Sequence, residues 1–427
     1  MKGRRKKLLG GMVLSAALVL SAFSGGAGAV DESKSTSSDK LRVLIQPEKS
    51  VKSLKASLKQ QLGERHDFDD LGFTTEVTEE ELKQLTADKS LKVTLVNTLS
   101  IAEFEEEEGR IEALATPSDR TPWGIEAIYR NPSIQSTSGG KGIRVAVLDT
   151  GTYTAHPDLS ANVEQCYNFT TSSPVVSGCA DGNGHGTHVA GTILANGGGG
   201  SGIWGVAPEA KLWSYKVLSD GGSGYADDIA YAIRYAADQG ASNGVKVVIS
   251  MSLGSSVKDS LISNAVTYAQ QRGALVVAAA GNSGPSANTI GYPGALKDAV
   301  AVAALENVQQ NGTYRVADFS SRGNPATAGD YVIQERDVEV SAPGRAVEST
   351  WNNGGYNSIS GTSMATPHIS GLAAKIWASH PTWSNNDVRT ELQNRAKAND
   401  ILGGISAAGG DDIASGFGFP TVQAGDQ

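Results

Sequence analysis

Four polar residues stand among small residues in settings that suit chemistry at a carbonyl group. Ser363 lies in Gly361-Thr-Ser-Met-Ala-Thr-Pro367 and precedes a run with helical apolar spacing: Ile369, Leu372, Ala373, Ile376 and Trp377. A serine at the mouth of a helix meets unpaired N–H groups and the positive end of the dipole. Gly361 and Ala365 leave room for a substrate backbone to approach. Asp149 follows the apolar run Ile143 to Leu148, His185 stands between Gly184 and Gly186, and Asn282 sits in the glycine turn Ala280-Gly-Asn-Ser-Gly284. Alone, each has an ordinary reading: a helix cap, a turn carboxylate, a turn asparagine. His185 and His188, three apart, could also hold a metal, although Gly186 occupies the place where a zinc helix carries its glutamate. Together the four supply an acid, an imidazole, an amide donor and a hydroxyl, the set that acyl transfer needs.

Such residues must be held on a rigid frame, and the downstream chain reads as one. Strands are expected at Ile143–Leu148, Ala210–Val217, Val245–Met251, Ala274–Ala280 and Ala299–Ala303. Helices are expected from His185 to Leu194, from Tyr225 to Gln239, from Leu261 to Gln271 and after Ser363. Continuous apolar strands alternating with helices imply an α/β fold whose mainly parallel sheet is covered on both faces. Asp149 and Asn282 then fall at carboxyl ends of strands, the edge where such sheets bind ligands.

Upstream the composition changes. Residues 41–110 are charged and nearly free of glycine, with strands expected at Leu41–Ile45 and Leu91–Val96. A helix is expected at Glu79–Leu85, capped by Thr78. This small α+β unit precedes a linker around Glu105–Glu108 and reads as a prosegment. Residues 1–29 open with Lys2, Arg4, Arg5, Lys6 and Lys7, continue through an apolar run to Phe23 and end in Ala27-Gly-Ala29. That is the pattern of a secretory signal peptide. The expected domains are 1–29 signal peptide, 30–115 propeptide and 116–427 catalytic domain, with maturation between Ala113 and Ser118. A secreted chain with two cysteines, Cys166 and Cys179, is expected to form one disulfide. The formal charge of −9 offers no basic surface for nucleic acid, and no later segment is long and apolar enough to span a membrane.

The motifs Asp149-Thr-Gly, His185-Gly-Thr-His-Val-Ala-Gly, Ala280-Gly-Asn-Ser-Gly and Gly361-Thr-Ser-Met-Ala-Thr-Pro, in that order, resemble those of the subtilisin-like serine proteases, the subtilases. Within them the chain is most similar to the secreted Bacillus subtilisins of the cold-adapted and sphericase type. The resemblance runs from about Thr121 onward. It implies the three-layer subtilisin-like fold and a serine endopeptidase that hydrolyses peptide bonds through an acyl-enzyme. Ser363 resembles the nucleophile, His185 the base, Asp149 the residue that orients it and Asn282 the oxyanion donor. His188 falls on the second, structural histidine.

The resemblance further implies that Gly222, Ser223 and Gly224, with Ser252, Leu253 and Gly254, flank a peptide bound as an added strand. Ala279, Ala280, Gly281 and Gly291 match the pocket for the residue before the cut, and its glycine floor suits large apolar side chains. Structural calcium is implied, with Asp119, Asp158, Asn196, Ser201 and Ile203 as ligands of one site and Asp337 and Glu339 of a weaker one. The four glycines Gly197–Gly200 make the first of these loops longer than is usual in the family. The implied partners are protein or peptide substrates and the chain's own propeptide, as inhibitor and folding aid. A monomer is expected, exported to the extracellular space. A binding module that has lost catalysis is the alternative class; such proteins usually lose a triad member, and Asp149, His185 and Ser363 are all present.

Overall fold

A computed structural model describes residues 40–47, 52–102 and 114–426. The expected signal peptide and the Glu105–Glu108 linker lie outside the described residues.

A small lobe comes first. Its strands are β1 (Leu41–Pro47), β2 (His66–Asp67), β3 (Phe73–Val77) and β4 (Leu91–Leu95). Its helices are α1 (Lys52–Leu62) and α2 (Glu79–Ala87). The four strands form an antiparallel sheet in the order β2-β3-β1-β4. Val43, Ile45, Phe73, Val77 and Leu91 face Leu54, Leu58, Leu82 and Leu85 of the two helices. Thr78 caps α2 as its sequence implied: its Oγ1 accepts from Glu81 N, and the Glu81 carboxylate accepts from Thr78 N at 2.8 Å, a capping box. A further short strand, β5 (Thr98–Ile101), belongs to neither this sheet nor the linker expected to follow.

The large lobe carries α3 (Trp123–Tyr129), β6 (Ile143–Asp149), β7 (Val163–Asn168), β8 (Val175–Val176), α4 (His185–Leu194) and β9 (Lys211–Lys216). It continues through β10 (Ser223–Tyr225), α5 (Ala226–Asn243), β11 (Lys246–Met251), β12 (Leu253–Gly254), α6 (Ser260–Gln271) and β13 (Leu275–Ala279). The rest is β14 (Val300–Gln310), β15 (Thr313–Val316), β16 (Val340–Pro343), β17 (Val347–Thr350), β18 (Tyr356–Ile359), α7 (Thr362–Ser379) and α8 (Asn385–Lys397). Nine strands form the main sheet, along the path β15-β14-β13-β11-β6-β9-β7-β8 with β16 beside β14. All its pairs are parallel except β14 with β15 and β7 with β8.

β6 explains the three layers. Val145 and Val147 enter the core shared with α4 and α7, while Ala146 and Leu148 enter the core shared with α5 and α6. A strand apolar on both faces must be covered on both. Two expected boundaries move: β14 runs on from Ala303 to Gln310, and α5 continues past Gln239 to Asn243. The first extension pairs with β15 and the second ends at Gly244 in a left-handed cap, so in each case neighbours rather than periodicity set the end. Cys166 and Cys179 are joined as expected. Among the described residues no helix is long and apolar enough to cross a membrane.

Candidate active site

Asp149 is the last residue of β6, and its Oδ1 lies 2.8 Å from Nδ1 of His185, the first residue of α4. Asp181, which the sequence reading passed over, holds this pairing. Its Oδ1 accepts from the Gly184 N–H and the Thr150 hydroxyl, both at 2.9 Å, and its Oδ2 accepts from Thr187 N and Oγ1. One carboxylate therefore caps α4 and ties it to the end of β6. Its position four residues before His185, in a glycine-rich run, is the signal that would have found it. A Cβ at Gly186 would lie 2.1 Å from the Gly151 carbonyl oxygen, so no glutamate fits there. His188 turns away from His185. Its Nε2 lies 2.8 Å from Val347 O, and burial pushes its pKa down to about 3. The two rings therefore serve different partners instead of one metal.

Ser363 is the second residue of α7, whose N-terminal cap is Gly361. Pro367 lies inside the first turns of this helix and has no N–H to give the carbonyl four residues back. That carbonyl belongs to Ser363, and the Ser252 hydroxyl donates to it at 2.8 Å. In return the Ser363 hydroxyl donates to the Ser252 carbonyl at 3.0 Å. Asn282 follows β13, and its Oδ1 accepts from Thr362 N and from Thr362 Oγ1, both at 2.9 Å. This leaves the amide Nδ2 to point outward. Asp149, His185 and Ser363 are all 1% exposed or less.

The segment Thr98–Ala102 fills the channel. β5 runs antiparallel between β10 and β12, with Ser223 opposite Ser100, Gly224 opposite Leu99 and Leu253 opposite Ile101. Ile101 N donates to Gly222 O at 2.9 Å and Ala102 N to Ser252 O at 3.3 Å. The Ala102 carbonyl accepts from Asn282 Nδ2 at 2.6 Å and from the Ser363 N–H at 3.3 Å. The six flanking residues expected from sequence thus hold an extended chain, and the chain is the protein's own. Gly281 and Gly291 face each other nearby, a Cβ on Gly281 falling 3.7 Å from Gly291 N. Gly291 N donates to Ala280 O, and Ala279 ends β13.

Charge pins the small lobe in place. Asp227 and Asp228 open α5 and are buried. Arg42 donates to both, at 3.2 and 2.8 Å, and Arg65 donates to both oxygens of Asp228 at 3.0 Å. His66 Nε2 approaches Asp228 at 2.8 Å, its ring stacked on Tyr231. Desolvation by these contacts raises the Asp227 pKa, since its neighbour repels it and only part of that is offset by Arg42.

The calcium candidates divide. Asp158 Oδ2 accepts from Ile203 N and Tyr356 Oη at 2.9 Å, whereas its Oδ1 is buried without a hydrogen-bond partner. Added Cβ atoms on Gly198 and Gly202 would lie 2.0 and 1.8 Å from that oxygen, so the loop wraps over it. Asn196 Oδ1 and the Ile203 carbonyl each accept one backbone N–H of the same loop, from Gly198 and Gly197. Ser201 is exposed at its tip. Asp119 adjoins Arg120, which bonds Gly202 and Trp204. An orphaned buried carboxylate oxygen under an oxygen-rich loop fits a hard cation. Glu339 does not. Both its oxygens accept from Arg389, at 2.8 and 2.6 Å, and Oε1 also accepts from Gln393 Nε2 at 2.7 Å. Asp337 instead accepts from Thr327 Oγ1 and Gln334 N, anchoring the 324–336 insertion. In this structure Arg389 is the cation that Glu339 meets.

Residues 140–419 match the subtilase family of peptidases. The chain belongs to the subtilase family. This subtilase is 59% identical to a subtilisin of Bacillus sp. (strain TA39) over 386 residues, which cover 90% of this chain and 91% of that one. Two solved structures resemble it at a TM-score of 0.71. Sphericase is 67% identical, over 72% of this chain and 99% of its own; the S41 psychrophilic protease is 68% identical, over 73% and 100%. As a subtilase the protein is a serine endopeptidase with an α/β, subtilisin-like fold.

Proposed function

We propose that the protein is a secreted, calcium-stabilised endopeptidase in which Ser363 is the nucleophile, His185 its general base and Asp149 the group that orients the imidazole. Asn282 Nδ2 and the Ser363 N–H stabilise the oxyanion. The observation that carries this reading is the Ala102 carbonyl, which accepts from both donors at once, at 2.6 and 3.3 Å. In the reaction Ser363 Oγ attacks such a carbonyl and its proton passes to His185. His185 then returns the proton to the departing amine, and water hydrolyses the ester in a second, matching step.

Main-chain bonds to β10 and β12 supply most of the grip, so specificity is broad. Large apolar residues are favoured before the cut, where Gly281 and Gly291 keep the slot open, and a second apolar side chain is favoured three residues earlier, where Leu99 is buried. The small lobe is an inhibitory propeptide, held by the Arg42, Arg65 and His66 contacts with Asp227 and Asp228. Asp158, with Asn196, Ser201, Ile203 and Asp119 around it, would hold calcium, whose charge would neutralise the buried carboxylate and fix the loop. The enzyme works as a monomer outside the cell.

Ser363→Ala tests the assignment. The purified variant is expected to keep its fold, read by circular dichroism, and to lose peptide hydrolysis by about 10⁶-fold, a magnitude that comes from subtilisin itself. Retained hydrolysis would remove Ser363 from the mechanism.

A further inference from the structure

We infer that the first bond this enzyme breaks is the one joining Ala102 to Glu103 in its own chain, and that a second, separate cut then removes the extension left on the large lobe. The inference rests on the reading of Ser363 as nucleophile and adds the identity of its first substrate.

Three observations support it. Residues 98–102 are held as a substrate would be, by the β5 pairings, by Ala102 N on Ser252 O and by Leu99 at 2% exposure. Among the described residues, the carbonyl on Asn282 and Ser363 is that of Ala102. The stretch expected to be the maturation site is held elsewhere. Leu114 exchanges both backbone bonds with Tyr356, at 2.7 and 2.8 Å, and Ser118 donates from N and Oγ to Glu348. A cut there needs those bonds released first, whereas the Ala102 carbonyl already lies on the donors.

The solved relatives match a shorter span than the whole chain, as loss of such an extension would require. The share of this chain that matches the full length of the S41 psychrophilic protease, 73% of 427 residues, is about 310 residues. Ending anywhere between residue 419, where the family match stops, and residue 427, such a span starts between about 108 and 116, past Glu103. The chemistry of the first cut balances without any further reactant. Ser363 Oγ bonds to the Ala102 carbonyl carbon, and the C–N bond to Glu103 breaks. The hydroxyl proton reaches the new Glu103 amine through His185, and water releases Ala102 as a carboxylate.

The test is to refold the full wild-type chain, quench aliquots in acid and weigh the fragments intact. A fragment ending at Ala102 and a partner beginning at Glu103 are expected first, followed by a partner shortened to begin near residue 108 or later. The first step should keep its rate constant on ~100-fold dilution, because nucleophile and carbonyl share one molecule. The inference is overturned if the first fragment ends elsewhere or the partner beginning at Glu103 never appears. Hydrolysis of a short peptide by the final product, measured alongside, separates the two failures. With hydrolysis intact only the order of cuts is wrong; without it the assignment of Ser363 fails as well.

Discussion

At the scale of single residues, Thr362 and Ser252 prepare the site as much as the reacting groups do. Thr362 takes both lone-pair directions of the Asn282 carbonyl oxygen, and so aims the Nδ2 of that amide. Asn282→Ala is expected to lower kcat by about 10²–10³, the size found in subtilisin, with KM little changed; a loss seen mainly in KM would contradict the oxyanion role. His188 and His368 give a stability prediction with a definite sign. Burial lowers their pKa values to about 3 and about 4, well under the ordinary ~6.5. Between pH 6.5 and 4 the unfolded chain binds protons that the folded chain refuses, so stability falls as pH falls. The slope is about 1.4 kcal/mol per pH unit for each ring. Calorimetry of the Ser363→Ala protein, which cannot digest itself, should show Tm dropping steadily over that window, and a flat Tm would refute it. The residues proposed to react were legible in the sequence because their motifs are short and local. Asp181 was not, since its role depends on Thr150 and α4 meeting it from different parts of the chain. The Glu339 pairing was hidden for the same reason: its partner Arg389 lies 50 residues on.

Among elements, the strands and helices of the large lobe could be read because β6, β11 and β13 are apolar on both faces and the helices are periodic. β5 could not. Four residues, Thr98 to Ile101, show a weak alternation, and their pairing partners lie more than 120 residues downstream. Only the completed channel makes them a strand. The anchor between the lobes is similarly non-local, built from Arg42 and Arg65 on one side and Asp227 and Asp228 on the other. Removing Arg65 takes one cation from a buried cluster in which Asp228 keeps Arg42 and His66, and so weakens the anchor without abolishing it. Arg65→Ala in the full chain should therefore free active enzyme sooner after the first cut, while kcat of the finished enzyme stays unchanged. Peptide hydrolysis followed from the start of refolding would read this, and an unaltered time course would exclude the ion cluster as the anchor.

For the molecule as a whole, the calcium site proposed under the loop over Asp158 would link ion binding to stability. A ligand present at 100 to 1,000 times its Kd adds about 2.7–4.1 kcal/mol. Chelation is accordingly expected to lower Tm by about 5–15 °C, and Asp158→Asn should remove most of that difference; an equal Tm with and without chelator would dismiss the site. The lengths of the insertions were visible from the start, but their use was not. Asp411 accepts from Gly329 N and Tyr331 N and so braces the 324–336 insertion, while Asp412 accepts from Ala408, Ala414 and Ser415 and fixes its own turn. The channel between β10 and β12 has one more consequence. It is a three-stranded sheet whose middle strand must come from outside once Thr98–Ala102 departs. Any chain that fills it must surrender its own helix or sheet bonds over about five residues. On the proposed reading of that channel, the enzyme would discriminate by looseness before it discriminates by side chain, sparing well-folded proteins and consuming those that have begun to come apart.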